Sequence, residues 1–163
     1  MKFGIALIAA ALLASASIGG ARAASSDDSS FVVTAQADVL GQYALAALAR
    51  NKAASPTAKA LADAIAKNAD SANNWLKKYA QSHNVPLKNQ PNVRTSAQYG
   101  TLQGVSGSSF DKQFAQDVNV DTQMQLGDFQ DEASGASDPA LKTFAKQQVS
   151  ALQKFSSQAG SIH

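Results

Sequence analysis

Cysteine is absent from the 163 residues, glutamate occurs once, at Glu132, and histidine only at His83 and His163. The first absence excludes disulfides, thiol chemistry and thiol-linked lipid attachment, so stability has to come from packing. The other two leave few ligands for a transition metal. Proline is confined to positions 56, 86, 91 and 139, which leaves long stretches free to be helical.

Neither sign of charge dominates. Lys2 is followed by an apolar stretch from Phe3 to Ile18 and then by Ala21-Arg22-Ala23, the layout of an export signal with a small-x-small cleavage site after Ala23. The apolar stretch is shorter than the roughly 20 residues of a spanning helix, so residues 1–23 are expected to be removed. Lys2 and Arg22 leave with them, so the 14 basic residues fall to 12 against 12 acids. A chain of zero net charge lacks the basic stripe that phosphate backbones demand, which argues against nucleic-acid partners. No later apolar run is expected to span a membrane, and the mature protein is predicted to be periplasmic or secreted.

Residues 24–30, Ala-Ser-Ser-Asp-Asp-Ser-Ser, read as a flexible leader ending in a helix cap. A helical-bundle domain is predicted over 31–160. From Phe31 to about Ala53 the apolar residues Phe31, Ala35, Val39, Ala46 and Ala49 fall on one helical face. Ser55-Pro56 is a cap with proline in the first turn, and Leu61, Ile65, Ala72, Leu76 and Tyr79 continue a second helix to about His83. A connector with Pro86, Pro91 and Gly100, Gly104 and Gly107 follows, with a short helix from Thr95 to Leu102. Ser108-Ser109 is read as the cap of a long helix from Phe110 to about Ser134, and Asp138-Pro139 as the start of the last, to about Ala159. Short links make each pair antiparallel, and the long connector spans the roughly 40 Å of a 27-residue helix. The predicted class is all-α, a ferritin-like four-helix bundle of two antiparallel hairpins joined by a long crossover.

The halves also echo each other. Ser29-Ser30-Phe31 recurs as Ser108-Ser109-Phe110, and Pro56-x-Ala58-Lys59-x-Leu61-Ala62 as Pro139-x-Leu141-Lys142-x-Phe144-Ala145. Two related hairpins or shared capping chemistry would each produce this. Ser30-Phe31-Val32 with Ala35 and Leu40-Gly41, Ser55-Pro56, Gly107-Ser108-Ser109-Phe110-Asp111 and the Asp138-Pro139 start together resemble the bacterial exported family called domain of unknown function 4142, grouped with ferritin-like folds. That resemblance implies an Asp-His pair in helix two, another after the crossover, a His in the last helix and a Glu in the first. Here these positions hold Asn68-Ala69, Asp121-Thr122, Phe155 and Gln42. The chain thus resembles a divergent member, one without the family's histidines.

A ferritin-like di-iron centre needs a Glu from each of two helices and Glu-x-x-His from each of two others. One glutamate and no Glu-x-x-His cannot build it, so no metal or other cofactor is expected. Asp121, Asp128 and Glu132 recur along the long helix, with Asp117 nearby, and are the residues to inspect for a weak hard-cation site; a solvated or rim face of a bundle helix is the preferred reading. Gln42, Asn68 and Gln148 fall among core-facing positions and must find partners there. With Asp121 they are the candidate interior polar layer, in the place of a metal centre. His83 is read as capping the end of helix two, and Trp75, Tyr79 and Phe155 as core. Gly104-Val105-Ser106-Gly107-Ser108 lacks the closing glycine and the preceding strand of a nucleophile elbow. No catalytic residue is assigned. The expected function is that of a non-enzymatic interaction or small-ligand-binding module; the alternative is a ferritin-like metal or redox protein with a degenerate site. Partner, ligand and oligomeric state have no signature in the sequence.

Overall fold

The computed structural model describes residues 24–163, so the export segment expected at 1–23 lies outside the described residues. Five helices follow in order: α1 (Ser26–Lys52), α2 (Pro56–His83), α3 (Val93–Gln103), α4 (Gly107–Gly135) and α5 (Pro139–Ala159). Among the described residues there is no strand, and the all-α class holds.

Two starts follow from the residues expected to make them. Ser55 Oγ accepts from Ala58 N with Pro56 behind it, and Asp138 accepts from Ala140 N and Leu141 N with Pro139 behind it. Two others need correction. α1 begins at Ser26 rather than Phe31, because Ser25 accepts from Asp28 N and Asp27 and Asp28 offset the first-turn dipole. The leader of 24–30 therefore shrinks to its first two residues. α4 begins at Gly107 after Ser106, which makes no side-chain cap bond; Gly107, at φ 61°, makes the turn into the helix that a residue with a Cβ would resist. Ser108 and Ser109 lie inside the helix.

Two buried clusters show how the hairpins run. Leu45 and Ala49 near the end of α1 join Ala58, Leu61 and Ile65 near the start of α2, together with Phe110 and Phe114 of early α4 and Phe155 and Ala159 of late α5. Val32 and Val39 of early α1 join Leu76 and Tyr79 of late α2, with Phe129, Leu141 and Phe144 around the α4–α5 turn. Each hairpin is therefore antiparallel, and apolar side chains from both fill a shared interior. By length and composition α1 is apolar enough to cross a membrane, which corrects the expectation that no later segment would be. Its Val32, Val39, Leu45 and Ala46 are buried in the two clusters.

The crossover is tied to α1. Gln36, 1% exposed, donates to Asn89 Oδ1 at 2.8 Å and accepts from Asn89 N, and Asn92 N donates to Ala37 O. A Cβ on Gly41 would stand 2.6 Å from Thr95 Cβ and 2.8 Å from its Cγ2, so the bare glycine lets α3 lie close against α1. At the other end of α1, Asp111 of α4 accepts from Ala54 N at 2.9 Å and Ser55 N at 2.7 Å, joining the second hairpin to the turn of the first.

Candidate functional site

The four residues expected to form one interior layer separate into three contacts. Gln42 Nε2 donates to Gln125 Oε1 at 2.8 Å, linking α1 to α4, and Asn68 Nδ2 donates to Gln148 Oε1 at 2.9 Å, linking α2 to α5. Asp121 joins neither pair, a correction to the single layer. It accepts from Arg94 Nε at 2.8 Å and Gln98 Nε2 at 3.2 Å, both on α3. A carboxylate only 2% exposed is better served by a guanidinium than by a neutral amide. Burial still pushes its carboxyl above the usual range, against those two hydrogen bonds and the Arg94 charge. Burial does the same at Asp38, against its bond from Asn92 and the charge of Arg94, with Asp128 and Asp121 adding to the rise.

The interior left between these contacts is small. A cavity of about 10 Å³ lies among Gln42, Leu45, Ile65, Phe114, Val118, Asp121 and Thr122, room for about one water. Asp121 Oδ2 and Gln125 Nε2 have no protein partner, an acceptor and a donor. The positions where the family resemblance implies histidine hold Ala69, Thr122 and Phe155, all buried. Phe155 packs in the cluster that contains Leu61, Ile65 and Phe114.

The carboxylate row of Asp121, Asp128 and Glu132 does not converge. Asp121 faces α3. Asp128 is exposed and borders a depression between α1 and α4 with Asp38, Asp131 and Phe31. Glu132 lies beside Asp28, where burial and then the Asp28 charge and hydrogen bond raise its carboxyl to about 7. Among the described residues no three of His, Cys, Asp and Glu gather as a metal's ligands would. His83 Nδ1 lies 2.9 Å from Tyr79 O, at the end of α2, and its Nε2 lies 3.3 Å from Asp138 Oδ2. Its ring also stacks on Tyr79 in a ladder that continues through Trp75 to Phe144. Trp75 is half-buried at the rim of the core; Tyr79 and Phe155 are inside it. Ser106 is an exposed cap residue.

A roomier concavity lies elsewhere. A groove of about 520 Å³ runs between α1 and α3, lined by Gly41, Tyr43, Ala44, Ala47, Leu48, Asn51, Pro91, Thr95, Ser96 and Tyr99. Its volume falls in the range of small-molecule sites. Two tyrosines flank an apolar floor, Asn51 and Ser96 add polar edges, and no lining side chain is charged. Sequence reasoning missed this groove, as it missed Arg94 and Gln125. The groove left no signal because it arises from the approach of α3 to Gly41. Arg94 did leave one, as the sole charged residue between Lys88 and Asp111.

A family model described as "Domain of unknown function (DUF4142)" matches residues 13–162. No curated protein matches the chain. Among solved structures, the crystal structure of a DUF305 fragment from Deinococcus radiodurans is similar in fold, with a TM-score of 0.77 at 14% identity. The match covers 86% of this chain and 97% of that one.

Proposed function

The chain belongs to the family described as Domain of unknown function (DUF4142), and from that premise we propose that it is an exported, non-enzymatic module that binds a small molecule in the groove between α1 and α3. One observation carries this reading. The interior leaves a cavity of only about 10 Å³, room for about one water beside Asp121, whereas the α1–α3 groove offers about 520 Å³ with two tyrosines on its lining. Export is supported by Lys2, the apolar stretch and Ala21-Arg22-Ala23. The alternative, a metal or redox protein with a degenerate site, has Arg94 against it. The guanidinium already occupies one oxygen of the most buried carboxylate in the acidic row.

The uncharged lining selects for an uncharged aromatic body between Tyr43 and Tyr99. Indole is a suitable probe. In a titration followed by nuclear magnetic resonance, it should saturate one site, shift the Tyr43 and Tyr99 ring signals and remain chemically unchanged. Tyr99→Ala should abolish saturation. Absence of saturable binding, or binding indifferent to Tyr99→Ala, would overturn the reading; turnover of the probe would overturn its non-enzymatic part.

A further inference from the structure

The aromatic groove has a neighbour at its Asn51 edge. A second depression, of about 440 Å³, is lined by Ala47, Arg50, Asn51, Lys59 and Asp63, and Ala47 and Asn51 line both. The two are successive compartments along α1, one uncharged and one carrying two cations against one anion. We propose that the ligand is a small aromatic carboxylate, its ring between Tyr43 and Tyr99 and its carboxylate beside Arg50 and Lys59. This rests on the groove reading above and adds the chemical class of its ligand.

Three observations support the anionic end. The Lys59 ammonium has no hydrogen-bond or ion-pair partner among the described residues, although the Lys59 backbone N–H donates to Ser55 O. Arg50 meets Asp63 at 2.7 Å, but the two side chains are 54% and 62% exposed, and an ion pair so open to water holds its partners loosely. The first turn of α2, which presents Lys59, contains no acidic residue, so the positive end of that helix adds to the field. The neutral groove and its charged neighbour together select a molecule with one charge at one end.

Length limits the choice further. Arg50 follows Tyr43 by seven residues on one helix, a rise of about 10 Å. An aromatic ring bearing a short acid chain covers such a distance together with the reach of the Arg50 side chain.

The matched pair indole-3-acetate and indole-3-acetamide, titrated into the purified protein by calorimetry, tests the charge alone. The acid should bind about tenfold tighter than the amide at low salt, as expected of a charge-assisted contact. That advantage should shrink at about 0.5 M salt, where the screening length is a few ångströms. Arg50→Gln combined with Lys59→Gln should bring the ratio of the two affinities to about one, and both positions are exposed, so the variant should fold. Tyr99→Ala should weaken both. If acid and amide bind equally and Tyr99→Ala weakens both, the carboxylate inference fails and the groove reading stands. If the acid's advantage survives the double variant, the anion sits elsewhere and the inference fails. If neither ligand binds, both readings fail.

Discussion

The bundle interior and the α1–α3 groove are both lined with polar and apolar groups, yet they differ in what those groups are free to do. Inside, Gln42 holds Gln125, Asn68 holds Gln148 and Asp121 is held by Arg94 and Gln98. In the groove, Asn51 and Ser96 donate only to nearby backbone, Ala47 O and Asn92 O, and the hydroxyls of the two tyrosines make no hydrogen bond among the described residues. A polar side chain committed to its neighbour specifies the fold, because breaking the contact leaves a buried group unpaired. One that faces an open concavity can exchange water for a ligand. Polarity in a helical interior is therefore a poor guide to a binding site until its partners are counted.

The largest expected effect tests whether the interior is as filled as it looks. Phe155 is 3% exposed where the family resemblance implies histidine. Phe155→Ala should cost roughly 3 to 5 kcal/mol in denaturant melts through the cavity it opens. Phe155→His should cost roughly 1 to 3 kcal/mol, since the ring would lie in an apolar cluster without an assured partner. A loss under about 0.5 kcal/mol for Phe155→Ala, the range of uninvolved surface positions, would show that this part of the interior is not packed.

A second substitution touches both regions at once. Gly41 lines the groove, and α3, which rests on it, carries Arg94 to Asp121. Gly41→Ala forces its new methyl into Thr95, so α3 must shift at a cost of roughly 1 to 3 kcal/mol. Indole binding should fall together with stability. Unchanged binding would mean that the groove does not depend on the close approach of α3.

This pairing also marks the limit of what the sequence disclosed. The all-helical class and two of the starts were legible because capping and periodicity are local: Ser55-Pro56 and Asp138-Pro139 name their own roles. The start of α1 was misplaced because Ser25 and Ser30 look alike as caps, and only the backbone shows which one accepts a bond. Gln42 and Gln148 could be placed in the interior by helical spacing, whereas Asn68, also expected there, is only half-buried. Their pairing could not, because the contacts join residues about 80 positions apart. The same holds for Arg94, which meets Asp121 across the crossover.

The smallest expected effect concerns the Asp28–Glu132 pair, where a carboxyl group is neither fully committed nor free. Glu132 rises from 4.5 to about 7, whereas Asp28, despite its burial, is held below its ordinary value by hydrogen bonds from Ser137 and Ser25. A proton bound more tightly by the folded chain favours folding while it is held. This contribution is complete below about 4.5 and is lost as pH rises through about 7. Glu132→Gln should remove that part of the pH dependence and leave the protein more stable above neutrality, by about 1 kcal/mol after discounting for solvent. Melts of the parent and the variant at pH 5 and 8 are the measurement. A parent no less stable at the higher pH, or a slope unchanged in the variant, would contradict the raised Glu132 carboxyl.

The contact from Asp111 to the α1–α2 turn carries a consequence for how the molecule opens. The amides of Ala54 and Ser55 are satisfied by a carboxylate 57 and 56 residues further along the chain, so the first hairpin cannot protect its own bend. Exchange of these two amides with solvent reports the separation of the hairpins rather than fraying of either one. With both core clusters also drawing residues from α1, α2, α4 and α5, parting the hairpins exposes core at both ends. The molecule should therefore behave as one cooperative foldon rather than two, and the bend between α1 and α2, which by position alone would be among the quickest sites to exchange, should rank among the slow ones.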